Sequence, residues 1–437
     1  MSAPFLAVCK TLTCVPIVLL MLASSPSEAQ QEIDRPPINY HTAEVSDAIG
    51  LLQDKLDAGE VELQWDDKLG WLPSLLELLE VPASSQLLVF SKTSLQFSKI
   101  TPQRPRAIYF NDDVYLGTVQ HGDLVELSAV DPQQGAVFYS IDQKRSEKPR
   151  IVRDRNRCLA CHHNHRTQDV PGYLVRSVYP GADGHPIISL GSETSDHTTD
   201  FRKRYGGWYV TGQHGDLRHR GNKIAEKESA ESFNLNTGSN LGDLSSLIST
   251  RPYLTPHSDL VALMVLDHQT QMHNFITLAS YEARRASHYD KIWNEVLERP
   301  ADFRADVSKR KITSAGESLL QYLFFSGEFP LTSPVEGTSG FAEQFQSLGP
   351  RDSQGRSLRD FDLQTRLFKY PCSYLIYSES FDSLPSTIHE YVVRRLGEIL
   401  SGEDTSAHFA HLTADDRQAI REILIETKPS LAAALVN

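Results

Sequence analysis

Cys158, Cys161 and His162 form the arrangement in this sequence that is most specific for one chemistry. In the segment Arg157-Cys158-Leu159-Ala160-Cys161-His162, two residues separate the thiols, and the histidine directly follows the second thiol. This spacing is typical of covalent haem attachment, in which the two thiols bond to the two vinyl groups of one porphyrin. The imidazole that follows is then placed to bind the iron. The segment therefore predicts one covalently bound haem c, with His162 as the proximal iron ligand.

Two other chemistries use the same residue types. With His163 and His165, the motif also offers enough sulfur and nitrogen for a tetrahedral zinc site. A Cys-x-x-Cys pair alone serves thiol-disulfide exchange. Zinc sites usually take a second pair of ligands from farther along the chain, but the only other cysteine beyond the N-terminal segment is Cys372. The sequence favours haem, and a zinc site and a bare pair of thiols remain alternatives.

The second axial position of the iron needs a ligand, or it stays open. A helix is predicted over residues 257–285, and His268 and Met272 share one face of it because they are four residues apart. Both His/His and Met/His ligation occur in haem proteins, so these two residues are the predicted alternatives for the sixth ligand. His214 and His219 are weaker candidates, because they lie in a polar loop, where histidines are usually solvated.

Arginines surround the motif, although the chain as a whole is acidic. Arg153, Arg155, Arg157 and Arg166 all lie within nine residues of a motif residue. Guanidinium groups pair well with carboxylates, and haem carries two propionates, so these four arginines are predicted to bind the propionates. The alternative is a solvated strand face, since positions 153, 155 and 157 share one side of an extended segment. The sequence supports both interpretations equally.

Residues 1–29 have the pattern of a secretory signal peptide. Lys10 supplies the positive end, residues 12–23 form a short apolar run, and Ser27-Glu28-Ala29 ends in small residues. The run is short for a membrane span, so no stable span is expected after cleavage, and an uncleaved anchor is the alternative. Both interpretations place the folded protein in the periplasm or another extracytoplasmic compartment, where haem c is attached.

The charge of the chain narrows the class of partner. Its 437 residues carry a formal net charge of -13 at pH 7. Such an acidic protein is a poor candidate for binding nucleic acid, whose phosphates repel it. The predicted partner is instead a redox protein.

The hydrophobic pattern divides the remaining chain into three regions. Residues 30–85 are predicted to form a linker and then helices, because apolar residues recur at helical spacing after position 42. Residues 86–225 are predicted to form a β-rich region that carries the motif, and residues 226–437 a mainly helical region. The predicted fold class is α+β, with a helical N-terminal segment, a central antiparallel β-rich region and a helical C-terminal region.

The individual elements follow from turn residues and caps. Ser258 is the predicted N-cap of the helix over 257–285, and further helices are predicted over 385–400 and 413–427. Cys372 is expected to be buried and inert. Strands are predicted at 87–90, 107–111, 114–119, 124–130, 136–141, 150–153, 170–179, 186–190 and 206–212.

The motif formed by Cys158, Cys161 and His162 resembles that of the c-type cytochromes. The resemblance implies covalent haem and redox character, and it is confined to these residues and a plausible distal helix. A compact cytochrome c is a small helical domain, whereas this motif follows a β-rich segment of a much longer chain. We therefore predict an exported single-haem cytochrome that transfers single electrons. The alternatives are a haem-dependent oxidoreductase for peroxide, a nitrogen oxide or a sulfur compound, and a haem-based redox sensor.

Overall fold

A computed structural model describes residues 32–225 and 233–436 of the chain. The predicted signal peptide, residues 1–29, lies outside these ranges. The predicted α+β class is confirmed: helices α1 (Ala48–Ala58) and α2 (Leu72–Leu78) precede a six-stranded antiparallel sheet, and the C-terminal region is helical.

The central sheet is a meander in which each strand pairs with the next one along the chain. The longest pairing joins β4 (Leu124–Asp131) and β5 (Gly135–Asp142) over eight residue pairs, from Leu124 opposite Asp142 to Asp131 opposite Gly135. The six strands predicted between residues 86 and 155 are confirmed, and no end is shifted by more than one residue. They are β1 (Leu87–Val89), β2 (Arg106–Phe110), β3 (Val114–Thr118), β4 (Leu124–Asp131), β5 (Gly135–Asp142) and β6 (Ile151–Arg153).

The two faces of the sheet are covered by different helices. Successive strand residues point to opposite faces, so each face contributes to its own apolar layer. On one face, Val137 and Tyr139 of β5 pack in a cluster with residues of α1 and α2. On the other face, Phe138 belongs to the larger core shared with the C-terminal helices. The sheet therefore forms the middle layer of the protein.

After the sheet come the short helix α3 (Leu159–His162), which carries most of the motif, and the hairpin of β7 (Val175–Val178) and β8 (Ser192–Ser195). The helical region begins with α4 (Leu260–Val296), which has 37 residues and is therefore about 55 Å long. The other helices are α5 (Asp306–Leu323), α6 (Phe341–Ser347), α7 (Glu379–Asp382), α8 (Ser386–Ser401), α9 (Ala414–Thr427) and α10 (Pro429–Leu435).

The predicted N-cap of α4 is wrong by one residue. Asp259 is the cap, and its carboxylate accepts hydrogen bonds from the amides of Val261 and Ala262. The Ser258 hydroxyl instead accepts a bond from Leu88 N and donates one to Tyr209 O. Ser258 therefore ties the start of α4 to the sheet. The helices predicted at 385–400 and 413–427 are confirmed as α8 and α9.

Two of the later strand predictions are wrong. Residues 186–190 end in a short 3₁₀ turn, and the strand that pairs with β7 begins after it, at Ser192. Residues 206–212 form isolated bridges rather than a strand. A Cβ atom on Gly206 would lie 2.0 Å from the carbonyl oxygen of Val178, and Gly207 has a positive φ of 86°. The glycines therefore allow a close crossing that a regular strand does not make.

The described part of the predicted linker packs into the protein. Ile33, Ile38 and Tyr40 are buried, and the Tyr40 hydroxyl donates a hydrogen bond of 2.7 Å to Ala136 O in β5. The core to which they belong extends to Leu435 in α10. Residues 33–40 are thus part of the folded body. Across the ranges 32–225 and 233–436, no helix combines the length and apolar character needed to cross a bilayer.

Candidate haem-attachment site

The motif directly follows β6 and is fixed by the first residue after that strand. The Asp154 carboxylate accepts hydrogen bonds from Cys158 N, at 3.1 Å, and from Arg157 Nε, at 2.6 Å. Leu159 is buried in the core and anchors the short helix α3. Cys158 is consequently half-buried and Cys161 is exposed, and both are free thiols. The motif therefore lies where the core meets solvent.

The surroundings of Cys158 favour its protonated form. Burial, together with the nearby carboxylates of Asp154 and Glu126, raises the pKa of the Cys158 thiol to about 12. Thiol-disulfide exchange requires a thiolate, and reactive thiols have lowered pKa values. In the part of the chain that the structure describes, no three His, Cys, Asp or Glu side chains are grouped to hold a metal ion. The raised pKa of Cys158 weighs against the exchange alternative.

His162 is held in a single tautomer. Its Nδ1 lies 2.9 Å from the carbonyl oxygen of Gly172, and the Gly172 amide in turn donates to the carbonyl of His162 at 2.9 Å. A carbonyl oxygen only accepts hydrogen bonds, so Nδ1 carries the proton and Nε2 carries the lone pair. Burial lowers the pKa of His162, which favours the neutral ring. A neutral imidazole with Nδ1–H bonded to a backbone carbonyl is the arrangement expected of a metal-binding histidine.

The sheet supplies the surface beneath His162. The Phe138 ring packs against the imidazole with the ring centroids 4.8 Å apart. On the same face of the sheet, Arg106 of β2 forms an ion pair of 2.5 Å with Glu126 of β4. These charges act on His162 in opposite directions, because Arg106 lowers the pKa of the ring and Glu126 raises it. Phe138 is one of the strand aromatics that the sequence offers for packing on a porphyrin, whereas Arg106 and Glu126 become adjacent to the motif only through the fold.

Two arginines near the motif have an unused donor. The Nε atoms of Arg106 and Arg176 are buried and have no hydrogen-bond partner among the described residues. Arg176 lies in β7. Burial lowers the pKa of Arg176, the charge of Arg166 lowers it further, and the charge of Cys161 raises it. The charge of Arg176 is therefore coupled to that of Arg166 and to the thiol of Cys161.

The four predicted arginines have different partners. Arg153 donates to the backbone carbonyls of Tyr40, at 2.7 Å, and Ala43, at 3.1 Å. Arg157 bonds to Asp154, and Arg155 is exposed. Arg166 is the one of the four that interacts electrostatically with Arg176. Arg153 fastens the N-terminal segment to the edge of the sheet, so its guanidinium is already occupied.

The part of α4 nearest the motif presents amide side chains. Gln271 Nε2 donates to the carbonyl of Arg166 at 3.1 Å. Asn274 accepts from the amide of Tyr173 and donates to its carbonyl, both at 2.8 Å. These bonds hold the loop after α3 against α4.

The predicted sixth ligands belong to the same turns of α4, but their side chains lie inside the helical body. His268 Nδ1 is 2.9 Å from His197 Nδ1, and its Nε2 is 2.7 Å from Ser373 Oγ. The His268 ring also stacks on Phe325 with a centroid separation of 4.2 Å. Met272 is fully buried in the apolar core. Both nitrogens of His268 are therefore engaged, and ligation would require one of these bonds to break.

His214 and His219 differ from the expectation for loop histidines, because both are buried. His214 Nδ1 bonds to Leu217 O at 2.8 Å, and its Nε2 accepts from Asn240 N at 3.0 Å. The two rings are 4.9 Å apart. They form a buried pair that holds the loop together, rather than a solvated surface.

Burial of histidines predicts a loss of stability in acid. Among the described residues, burial lowers the pKa of seven histidines: His162, His163, His197, His214, His219, His268 and His273. The pKa of His273 falls from 6.5 to about 4. The folded state keeps these rings neutral, whereas the unfolded chain protonates them below about pH 6.5. The stability that these neutral histidines contribute is therefore fully present above pH 6.5 and is lost as the pH falls toward 4.

His273→Gln tests this contribution. His273 Nε2 bonds to Asp112 O at 2.8 Å, and the glutamine amide keeps a donor for that carbonyl. Between pH 7 and pH 4, the unfolding free energy falls in both proteins. We expect the fall to be smaller in the variant than in the native protein, by up to about 3 kcal/mol. Urea denaturation at both pH values measures this, with exposed His408→Gln as the control. Equal losses in all three proteins would contradict the prediction.

Comparison of the chain with models of protein families, with curated proteins and with solved structures finds no match.

Proposed function

We propose that this chain is an exported c-type haem protein that transfers single electrons. Cys158 and Cys161 would hold one haem through thioether bonds, and His162 would bind its iron through Nε2. The observation that carries the proposal is the bond from His162 Nδ1 to Gly172 O, which leaves Nε2 as the ring atom with a free lone pair. The haem, when bound, supplies an iron that exchanges one electron at a time.

The two cysteines support this proposal by their position and protonation state. A thiol forms a thioether by adding across a vinyl double bond, with sulfur bonding to one carbon and the hydrogen going to the other. Cys158 packs against the core in its protonated form, and Cys161 is exposed. A site that borders on solvent suits electron exchange, because the partner protein must approach it closely.

Three arginines next to the motif supply positive charge for carboxylates. Arg106 and Arg176 each have a buried Nε without a partner among the described residues, Arg106 is also paired with Glu126, and Arg166 interacts electrostatically with Arg176. Arginine binds carboxylates through paired donors, so these residues are the structure's best candidates for propionate contacts. Arg166 belongs to the set predicted from the sequence, and Arg106 and Arg176 add to it.

The sixth ligand stays a prediction. His268 would have to exchange its bond to His197 or Ser373 for a bond to iron. A thioether ligand such as Met272 raises the reduction potential relative to a second imidazole. Low-temperature EPR of the ferric protein separates these cases, and a high-spin signal would reject both residues.

His162→Gly tests the proximal ligand. After expression with a haem c maturation system, we expect this variant to lose the native absorption spectrum and to recover it when imidazole is added, since free imidazole fills the vacated position. Exposed His165→Gly is the control and should keep the native spectrum. An unchanged spectrum in the His162 variant would show that another group binds the iron.

A further inference from the structure

The last two turns of α4 expose an apolar face. Tyr289, Ile292, Trp293 and Val296 are between 42% and 64% exposed, and their successive spacings of three, one and three residues place them on one side of the helix. We call these four residues the α4 apolar face. More exposed apolar side chains follow at the same end of the α4–α5 pair: Leu297, Phe303 and Val307. Soluble proteins rarely expose such a group unless it binds something.

The opposite side of these two turns packs against α5 and the loop before it. Asp290 accepts a hydrogen bond of 2.7 Å from the Ser308 hydroxyl, and Asn294 Nδ2 donates to Phe303 O at 2.7 Å. The end of α4 is therefore fixed in orientation by its buried polar side. The α4 apolar face is directed outward because the inner side of the helix is already packed.

The charge of this end favours an anionic surface. Residues 282–311 contain eight lysines and arginines against six aspartates and glutamates, in a chain whose formal net charge is -13. Anionic lipid headgroups attract such a local excess of positive charge. Tryptophan and tyrosine prefer the boundary between hydrocarbon and water, because their rings are apolar with one polar atom. Trp293 and Tyr289 supply both residue types.

The N-terminal part of the chain joins the body at the same end. Arg284 Nη2 donates to Pro37 O at 3.0 Å, and Tyr289 follows Arg284 on α4 by five residues, or about 7.5 Å along the axis. The apolar run at residues 12–23 precedes Pro37 closely in sequence. The described start of the chain thus contacts α4 within two turns of the α4 apolar face.

We propose that the α4 apolar face and the basic residues around it bind the surface of a lipid bilayer that contains anionic lipids. The four apolar side chains would enter the boundary between headgroups and acyl chains, as in amphipathic helices that lie on membranes. This binding is independent of the proposed redox function, because it uses no residue of the haem-attachment site.

Quenching of Trp293 fluorescence tests the proposal. The exported protein is mixed with vesicles of phosphatidylethanolamine and phosphatidylglycerol that carry brominated acyl chains. Trp71 and Trp208 are buried, and Trp65 packs against Trp71, so Trp293 is the tryptophan best placed to contact lipid. We expect quenching in the native protein and its loss in Trp293→Phe. Because the signal is local to α4, an N-terminal segment that remains attached does not produce it.

Ile292→Ser with Val296→Ser is expected to weaken vesicle binding about tenfold or more, since each change removes apolar area that the bilayer would bury. Ile188→Ser, at an 88% exposed position in another part of the fold, is the matched control and should bind normally. Binding should also fall when phosphatidylcholine replaces phosphatidylglycerol. The absence of Trp293 quenching, or equal quenching in the double variant, would overturn the proposal. A dimer in sedimentation velocity that the double variant abolishes, without quenching, would assign the face to a second copy instead.

Discussion

Replacement of both Cys158 and Cys161 by serine is expected to abolish covalent haem, while Cys372→Ala leaves it intact. Thioether attachment needs the sulfur atoms of the motif, and the third cysteine of the described chain is fully buried in the helical region. The measurement is a haem stain of the denatured protein, together with a pyridine haemochrome spectrum, after expression with a maturation system. Cys372→Ala controls for the general effect of removing a thiol.

Two outcomes would contradict this expectation. A haem stain that survives in the double serine variant would place the attachment elsewhere. A native protein that is colourless and contains zinc in place of iron would reject the proposed function as a whole. Both outcomes are distinct from misfolding, which circular dichroism of the same samples would reveal.

Arg204→Met is expected to cause the largest loss of stability among single substitutions away from the motif, about 3–5 kcal/mol. Arg204 and Asp267 are almost fully buried, with Arg204 Nη1 3.4 Å from Asp267 Oδ2. Arg204 also donates to the carbonyls of Thr199, at 2.8 Å, and His197, at 3.0 Å. The methionine fills similar space but leaves a buried carboxylate without its cation and two carbonyls without their donor.

Urea denaturation at pH 7 measures this loss. Lys309→Met, which removes the exposed ion pair with Asp306, is the control and should change the unfolding free energy little, because solvent screens such pairs. Tyr205→Phe removes only the 2.9 Å bond from the tyrosine hydroxyl to Asp267 and should cost less than Arg204→Met. A loss below about 1 kcal/mol for Arg204→Met would mean that water reaches the pair.

The central sheet was predictable because its determinants are local. Strands β4 and β5 are short runs rich in apolar, β-branched and aromatic residues on both sides of a turn at Asp131-Pro132-Gln133, so composition and turn agree. The segment 206–212 has similar β-branched and aromatic residues, yet its conformation depends on the close approach of Gly206 to Val178. That contact joins residues far apart in sequence, and no local pattern encodes it.

The candidate site likewise combines a motif that is local in sequence with contacts that only the fold creates. The spacing of Cys158, Cys161 and His162 is a local signal that can be read directly from the sequence. The partners that define their chemistry come from elsewhere: Gly172 fixes the His162 tautomer, and Arg106 and Glu126 come from separate strands. The shared helix face of His268 and Met272 was visible in the sequence, but not the contact of His268 with His197, 71 residues earlier. Helical periodicity identifies a face without identifying what covers it.

The packing of residues 33–40 into the body limits how far the protein can move if its leader is retained. Eight residues separate the end of the apolar run at Ala23 from Glu32, and a fully extended stretch of that size reaches about 28 Å. A retained leader would thus be a short membrane tether, and it would keep the folded protein within roughly one protein diameter of the lipid. Cleavage after Ala29 would remove this tether. Membrane binding would then depend on the proposed contacts of the α4 side chains alone.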